Sequence, residues 1–93
     1  MSGNIDWSHL ITKAMKDAEA AAIMRAAGVL TEDAWRVKET AFIADQLIGI
    51  EDGDPAALPG TEAEWRAYRT KVRNWKEGAQ FFPELMHRPI RPA

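Results

Sequence analysis

Thr61-Glu62-Ala63-Glu64-Trp65-Arg66-Ala67-Tyr68-Arg69-Thr70-Lys71-Val72-Arg73-Asn74-Trp75 is the stretch on which the fold turns. Its first four residues form a capping box, in which the Thr61 hydroxyl and the Glu64 carboxylate each accept from a backbone N–H that has no partner within the helix. Trp65, Tyr68, Val72 and Trp75 follow at intervals of three and four, which places them on one stripe. Arg66, Arg69, Arg73 and Lys76 fall on a second stripe roughly 100° away, so aromatics and cations share an edge. The spacing predicts a helix over 62–77 that stops at Gly78. Trp, Tyr and Arg supply much of the energy at protein interfaces. The other reading makes the rings a core with basic stems lying over its rim. For Trp65 and Tyr68 the core reading is the stronger, and beyond Gly78 the interface reading is.

Upstream, Glu51-Asp52-Gly53-Asp54-Pro55 and Leu58-Pro59-Gly60 read as a solvated turn. The carboxylates there lack the ligand spacing and distal Glu of a calcium loop. Before the turn a helix is expected over 32–50, opened by Thr31 with Glu32 and Asp33 in its first turn. Ala34, Val37, Ala41, Ala44 and Ile48 form one stripe, and Trp35, Phe42, Ile43 and Leu47 lie on adjoining faces. Apolar character on more than one face calls for two neighbours, or one neighbour and a partner chain. A first helix is expected over 7–27, capped by Asp6 or Ser8, rich in alanine and ended by Gly28. The expected fold is all-α: a small three-helix domain over 1–78, with the second and third helices antiparallel and the first separately docked or partly free.

Phe81-Phe82-Pro83-Glu84-Leu85-Met86-His87-Arg88-Pro89-Ile90-Arg91-Pro92-Ala93 contains three prolines and should form an extended C-terminal arm over 79–93. A proline-interrupted apolar tail cannot close a core by itself, so its rings are expected to serve a partner.

Ninety-three residues make one small domain, for which partner surface helps complete burial. The chain has no cysteine and only His9 and His87, which argues against thiolate chemistry and a conventional zinc site. Neither serine has a base and orienter that the sequence supports, and Asp45 alone makes no mechanism. The expectation is therefore a protein that is not an enzyme and uses no cofactor or metal. No run approaches the ~20 apolar residues of a membrane span, and Met1 to Asp6 lacks a basic region before an apolar stretch, so a soluble, cytoplasmic protein is expected. Residues 66–93 hold seven cations against two carboxylates, net plus five, and residues 1–65 carry minus seven. Nucleic-acid binding is disfavoured by the acidic whole and the lack of a recognisable binding signature.

Trp65, Tyr68, Arg69, Val72 and Arg73, followed by Phe82-Pro83 and a proline-rich end, resemble the C-terminal segment of the tail assembly chaperones of tailed bacteriophages, including those that assist tail fibres. The resemblance covers about 30 of the 93 residues. Members carry a Trp-Pro near the end, where this chain has His87-Arg88-Pro89. The resemblance implies a phage or prophage protein that binds a tail or tail-fibre polypeptide noncatalytically in the host cytoplasm and helps it fold, trimerise or attach. On that reading Trp65, Tyr68 and Trp75 build a platform, Arg69 and Arg73 pair with client carboxylates, and Phe81, Phe82, Leu85 and Ile90 enter client pockets. Two alternatives stand beside it: a structural subunit retained in the virion, and an inhibitor of a host complex acting through Glu32, Asp33 and Asp45. Homo-oligomerisation stays open.

Overall fold

The computed structural model describes residues 7–93, with side chains from residue 11 onward. The described chain is helical: α1 spans Trp7–Asp52, α2 spans Glu62–Arg73, and a 3₁₀ turn covers Leu85–His87. Among the described residues no helix is long and apolar enough to cross a membrane.

The two expected helices over 7–27 and 32–50 are a single helix of 46 residues. Gly28 does not end it. Glycine in a helix costs about 1 kcal/mol relative to alanine, but no proline or turn-forming pair follows Gly28 to add to that. Thr31, expected as a cap, sits inside the helix and turns its hydroxyl back to the Ala27 carbonyl, 3.0 Å away. Gly28 serves another purpose: a Cβ there would stand 3.3 Å from Cγ of Pro83, so the bare backbone lets the arm approach α1 a few tenths of an ångström more closely at this point. Ser8 is also within the helix, and the Asp6 cap lies outside the described residues.

A turn at 53–61 reverses the chain, and α2 runs back along α1 as the sequence predicts. Trp65 meets Phe42, Tyr68 meets Glu39 and Trp75 meets Glu32, an antiparallel order. The capping box is present, with Glu64 N–H to Thr61 Oγ1 and Thr61 N–H to Glu64 Oε1 both at 3.1 Å. Gly60 holds a φ of +117°, and a Cβ there would stand 2.7 Å from Pro92, so the turn and the end of the arm meet at a point where a side chain has no room. α2 stops at Arg73, before the expected end at 77. Arg36 takes up the Trp75 carbonyl at 2.8 Å, so the chain can leave the helix without orphaning that acceptor.

Ile43, Trp65, Tyr68 and Val72 are the buried centre, with Trp35, Phe42, Leu47 and Ile50 packed round it. The stripe Ala34, Val37, Ala41, Ala44 and Ile48 is not part of this core and faces solvent. The molecule measures 81 × 19 × 17 Å, because α2 and the arm cover only the C-terminal half of α1. From 11 to 27 every residue of α1 is exposed.

Candidate functional site

The arm is not free. After turns through 76–83, which include a cis Phe82–Pro83 bond, it runs back along α1 in the direction opposite to α2. Two buried carboxylates of α1 receive it. Glu32 accepts Arg88 Nε at 2.6 Å and Nη2 at 2.7 Å, while Trp75 Nε1 donates to it at 3.0 Å. Glu39 accepts Arg91 Nε at 2.7 Å and Nη2 at 2.6 Å, and the Tyr68 hydroxyl donates to it at 2.5 Å. The guanidinium of Arg88 also lies 4.7 Å from the centre of the Trp35 ring, and that of Arg91 lies 4.0 Å from Phe42.

The register follows from two repeats. Glu32 and Trp35 recur as Glu39 and Phe42 seven residues on, a rise of about 10.5 Å along a helix. Arg88 and Arg91 are three residues apart, and prolines follow both. Arg88 has φ −56° and ψ 144°, close to polyproline II, in which three residues rise about 9.3 Å. One turn of that extended helix thus spans two turns of α1, and each arginine fork finds its own carboxylate and ring. Bidentate charge-assisted bonds of this kind are the strong ones. Among the described residues no buried polar side-chain atom lacks a partner.

Electrostatics agree with the geometry. The Arg88 guanidinium holds the Glu32 carboxyl below the usual carboxylate range, and Arg91 does the same for Glu39. Burial, and then the neighbouring Glu39, push the Tyr68 phenol above its ordinary value of 10. The division of charge seen in the sequence is therefore partly an internal match: the basic C-terminal part docks on carboxylates of the acidic part.

The nine residues singled out for partner binding separate into two groups. Trp65, Tyr68, Trp75 and Phe82 are buried against the protein's own α1 and arm. Phe82, expected to enter a client pocket, instead packs edge-to-face on Trp75 with ring centres 5.3 Å apart. Arg69 is half-buried and Arg73 exposed. Phe81, Leu85 and Ile90 remain on the surface at 50%, 59% and 88% exposure, joined by Met86 at 94%. Phe81 holds a φ of +67°, a conformation rare for a bulky residue, and stacks on His87 at 4.1 Å. Glu32 cannot form an acidic contact face for a host protein, since the arm covers it.

A cleft of about 400 Å³ opens on the side of the lobe between α1 and the end of α2, lined by Arg36, Val37, Thr40, Arg73 and Lys76. Arg36 is anchored to Asp33 at 2.8 Å. Comparison of the chain with protein-family models, curated proteins and solved structures finds no match.

Proposed function

We propose that the protein acts by noncatalytic binding to another polypeptide, as a tail or tail-fibre assembly chaperone of tailed phages. The observation that carries this reading is the outer face of the arm. With Phe82 turned inward and Arg88 and Arg91 turned to α1, Phe81, Leu85, Met86 and Ile90 are exposed on a segment whose position is held by ion pairs to two buried carboxylates. An apolar patch displayed on a fixed support binds without first losing the entropy of a loose tail. Lys71, which lines a hollow of α2 together with Ile90, and Arg69 and Arg73 on another side of the same helix supply charge that keeps the free protein soluble and orients a client's carboxylates. The resemblance of Trp65-Arg66-Ala67-Tyr68-Arg69, Val72-Arg73 and Phe82-Pro83 to the chaperone segment supports the choice of client.

The test is co-expression with a phage tail or tail-fibre polypeptide. The full chain is expected to keep that polypeptide soluble and to co-purify with it. An Ile90→Asp, Leu85→Asp variant should lose both effects while keeping its thermal melting, because both positions face solvent. Equal recovery of the client with the variant would reject the arm as the binding face.

A further inference from the structure

α1 carries a second apolar face that the fold leaves uncovered. Ala20, Ala27, Ala34, Ala41 and Ile48 recur every seven residues, and Ile23, Leu30, Val37 and Ala44 each follow three residues behind. Together they hold the alternating three-four spacing of a coiled-coil seam through four heptads, about 42 Å of helix. All nine positions are exposed, Leu30 by 72% and Val37 by 67%. The seam lies roughly 145° around the helix from the Glu32, Trp35, Glu39 and Phe42 face, and its residues are exposed, the end of α2 coming alongside at Val37, which lines the cleft with Arg73 and Lys76.

We propose that this seam pairs with a second copy of the chain, the two α1 helices running antiparallel. The choice of occupant rests first on volume. A parallel pair sets like against like, and Ala27, Ala34 and Ala41 would each face themselves across a gap. An antiparallel pair centred between Trp35 and Arg36 sets Ala34 against Val37, Ala41 against Leu30, Ala44 against Ala27 and Ile48 against Ile23, so a small-against-small layer persists only at Ala27 and Ala44. The two central layer types then each join one small and one large side chain, the arrangement that fills space evenly.

Charge gives the second argument. In that register Asp33 of the second copy falls between the heights of Arg36 and Thr40, at the mouth of the basic cleft. Arg73 and Lys76 line that cleft and form no ion pair among the described residues. The twofold axis repeats the contact, so each copy offers one carboxylate and one cleft. The matched strip from Ile23 to Ile48, about 38 Å by 10 Å, covers only some 400 Å² per copy, half of a standard interface, and the dimer is accordingly reversible.

Sedimentation equilibrium of the full chain from roughly 1 to 500 μM is expected to show a monomer–dimer exchange. A Leu30→Glu, Val37→Glu variant buries two charges in the seam and should raise the dissociation constant by about a hundredfold or more. Both positions face solvent in the monomer, so tryptophan emission and melting should be unchanged in dilute solution. Because the chain has no cysteine, orientation is read by mixing Leu30→Cys and Ala41→Cys chains under oxidation. The mixed disulfide should exceed either homodisulfide. A monomer across the whole range, dimerisation unaffected by the glutamates, or an excess of homodisulfides would each overturn the proposal. No client is present in these measurements, so their failure leaves the chaperone reading to its own test.

Discussion

The two halves of α1 share one backbone and differ in what holds them helical. From 28 to 52 the helix is clad by α2 and the arm, with rings packed on one face and two carboxylates tied to arginines. From 11 to 27 every residue is exposed, with an exposed Arg25–Glu77 ion pair as a tie to the rest, and helicity there rests mainly on composition, since seven of those seventeen residues are alanine. Tertiary packing ordinarily supplies most helical stability, and isolated helices of this length are marginal in water. Helix content and cooperative stability are thus separable quantities in this protein. Far-ultraviolet dichroism reports both halves, whereas Trp35, Trp65 and Trp75, read in a Trp7→Phe background because Trp7 opens α1, report only the clad one.

Acid should break the comparison most severely, because it removes both ion pairs at once. Glu32 and Glu39 titrate below their ordinary value of 4.5 in the folded protein because of Arg88 and Arg91. A depressed carboxyl contributes stability that is complete above the unfolded value and is lost as pH falls through the folded one. The lobe should therefore melt at constant temperature from neutral pH to about 5, and at steadily lower temperature below that. Tyr68 sets the opposite limit: its raised phenol favours the folded state below pH 10, and that contribution is lost as pH rises through the folded value. A melting temperature that stayed flat down to pH 2.5 would mean the arginines do not hold these carboxylates.

Single substitutions divide the same effect. Glu32→Ala leaves Arg88 and the Trp75 N–H without their acceptor in a place where Arg88 is only 24% exposed, and should cost about 3 kcal/mol. For a lobe of this size that lowers melting by roughly 12 °C or more. Glu39→Ala should cost less, about 2 kcal/mol, because water reaches Arg91 at 45% exposure. Tryptophan fluorescence on thermal melting measures both, and the order of the two is the sharper claim.

How much of this the sequence discloses depends on the distance over which each device acts. The Thr61 capping box and the Trp65, Tyr68, Val72 stripe are local, and they are present as read. The break at Gly28 was misread because glycine marks both helix ends and close approaches, and the approaching group, Pro83, is fifty-five residues away in the chain. The buried pairs were missed for a related reason. Glu32 reads as a first-turn acid and Arg88 and Arg91 as tail charges when each is taken alone, and nothing local singles out Glu39. A signal was nevertheless available: Glu-x-x-aromatic repeats at seven residues, and Arg-Pro repeats at three. Those periods match in ångströms only when one segment is helical and the other extended, which residue counts by themselves do not reveal. The exposed three-four stripe was legible as a second apolar face. Which of α1's faces the core would take was not, because Trp35, Phe42 and Ile43 compete with it in hydrophobicity and win through their fit to α2.

Smaller effects test the seam between the two halves. At Gly28 helix propensity and arm contact pull in opposite directions. Gly28→Ala gains about 1 kcal/mol of propensity against a 3.3 Å approach to Pro83 that the arm can relieve by a slight shift, so lobe melting should change little. Gly28→Val adds bulk at the same point with less propensity to offset it, and should lower lobe melting by a few degrees, an overpacking cost of about 1–2 kcal/mol.

The least effect on the lobe should come from Ala22→Gly in the bare half, even though its local cost is also about 1 kcal/mol. Ala22 is exposed, so the loss is not shared with the core, and tryptophan melting should hold within about 0.3 kcal/mol. Far-ultraviolet ellipticity should fall, and amides from 14 to 25 should exchange faster while those near Glu39 do not. The result also bears on pairing. Ala22 lies off the proposed seam, but Ala20 and Ile23 are on it, so a dimer that draws on the first heptad should slow exchange there as concentration rises. Exchange in 14–25 that tracked lobe melting instead would show that the two halves form one cooperative unit, and that the alanines contribute less to the bare half than their propensity alone implies.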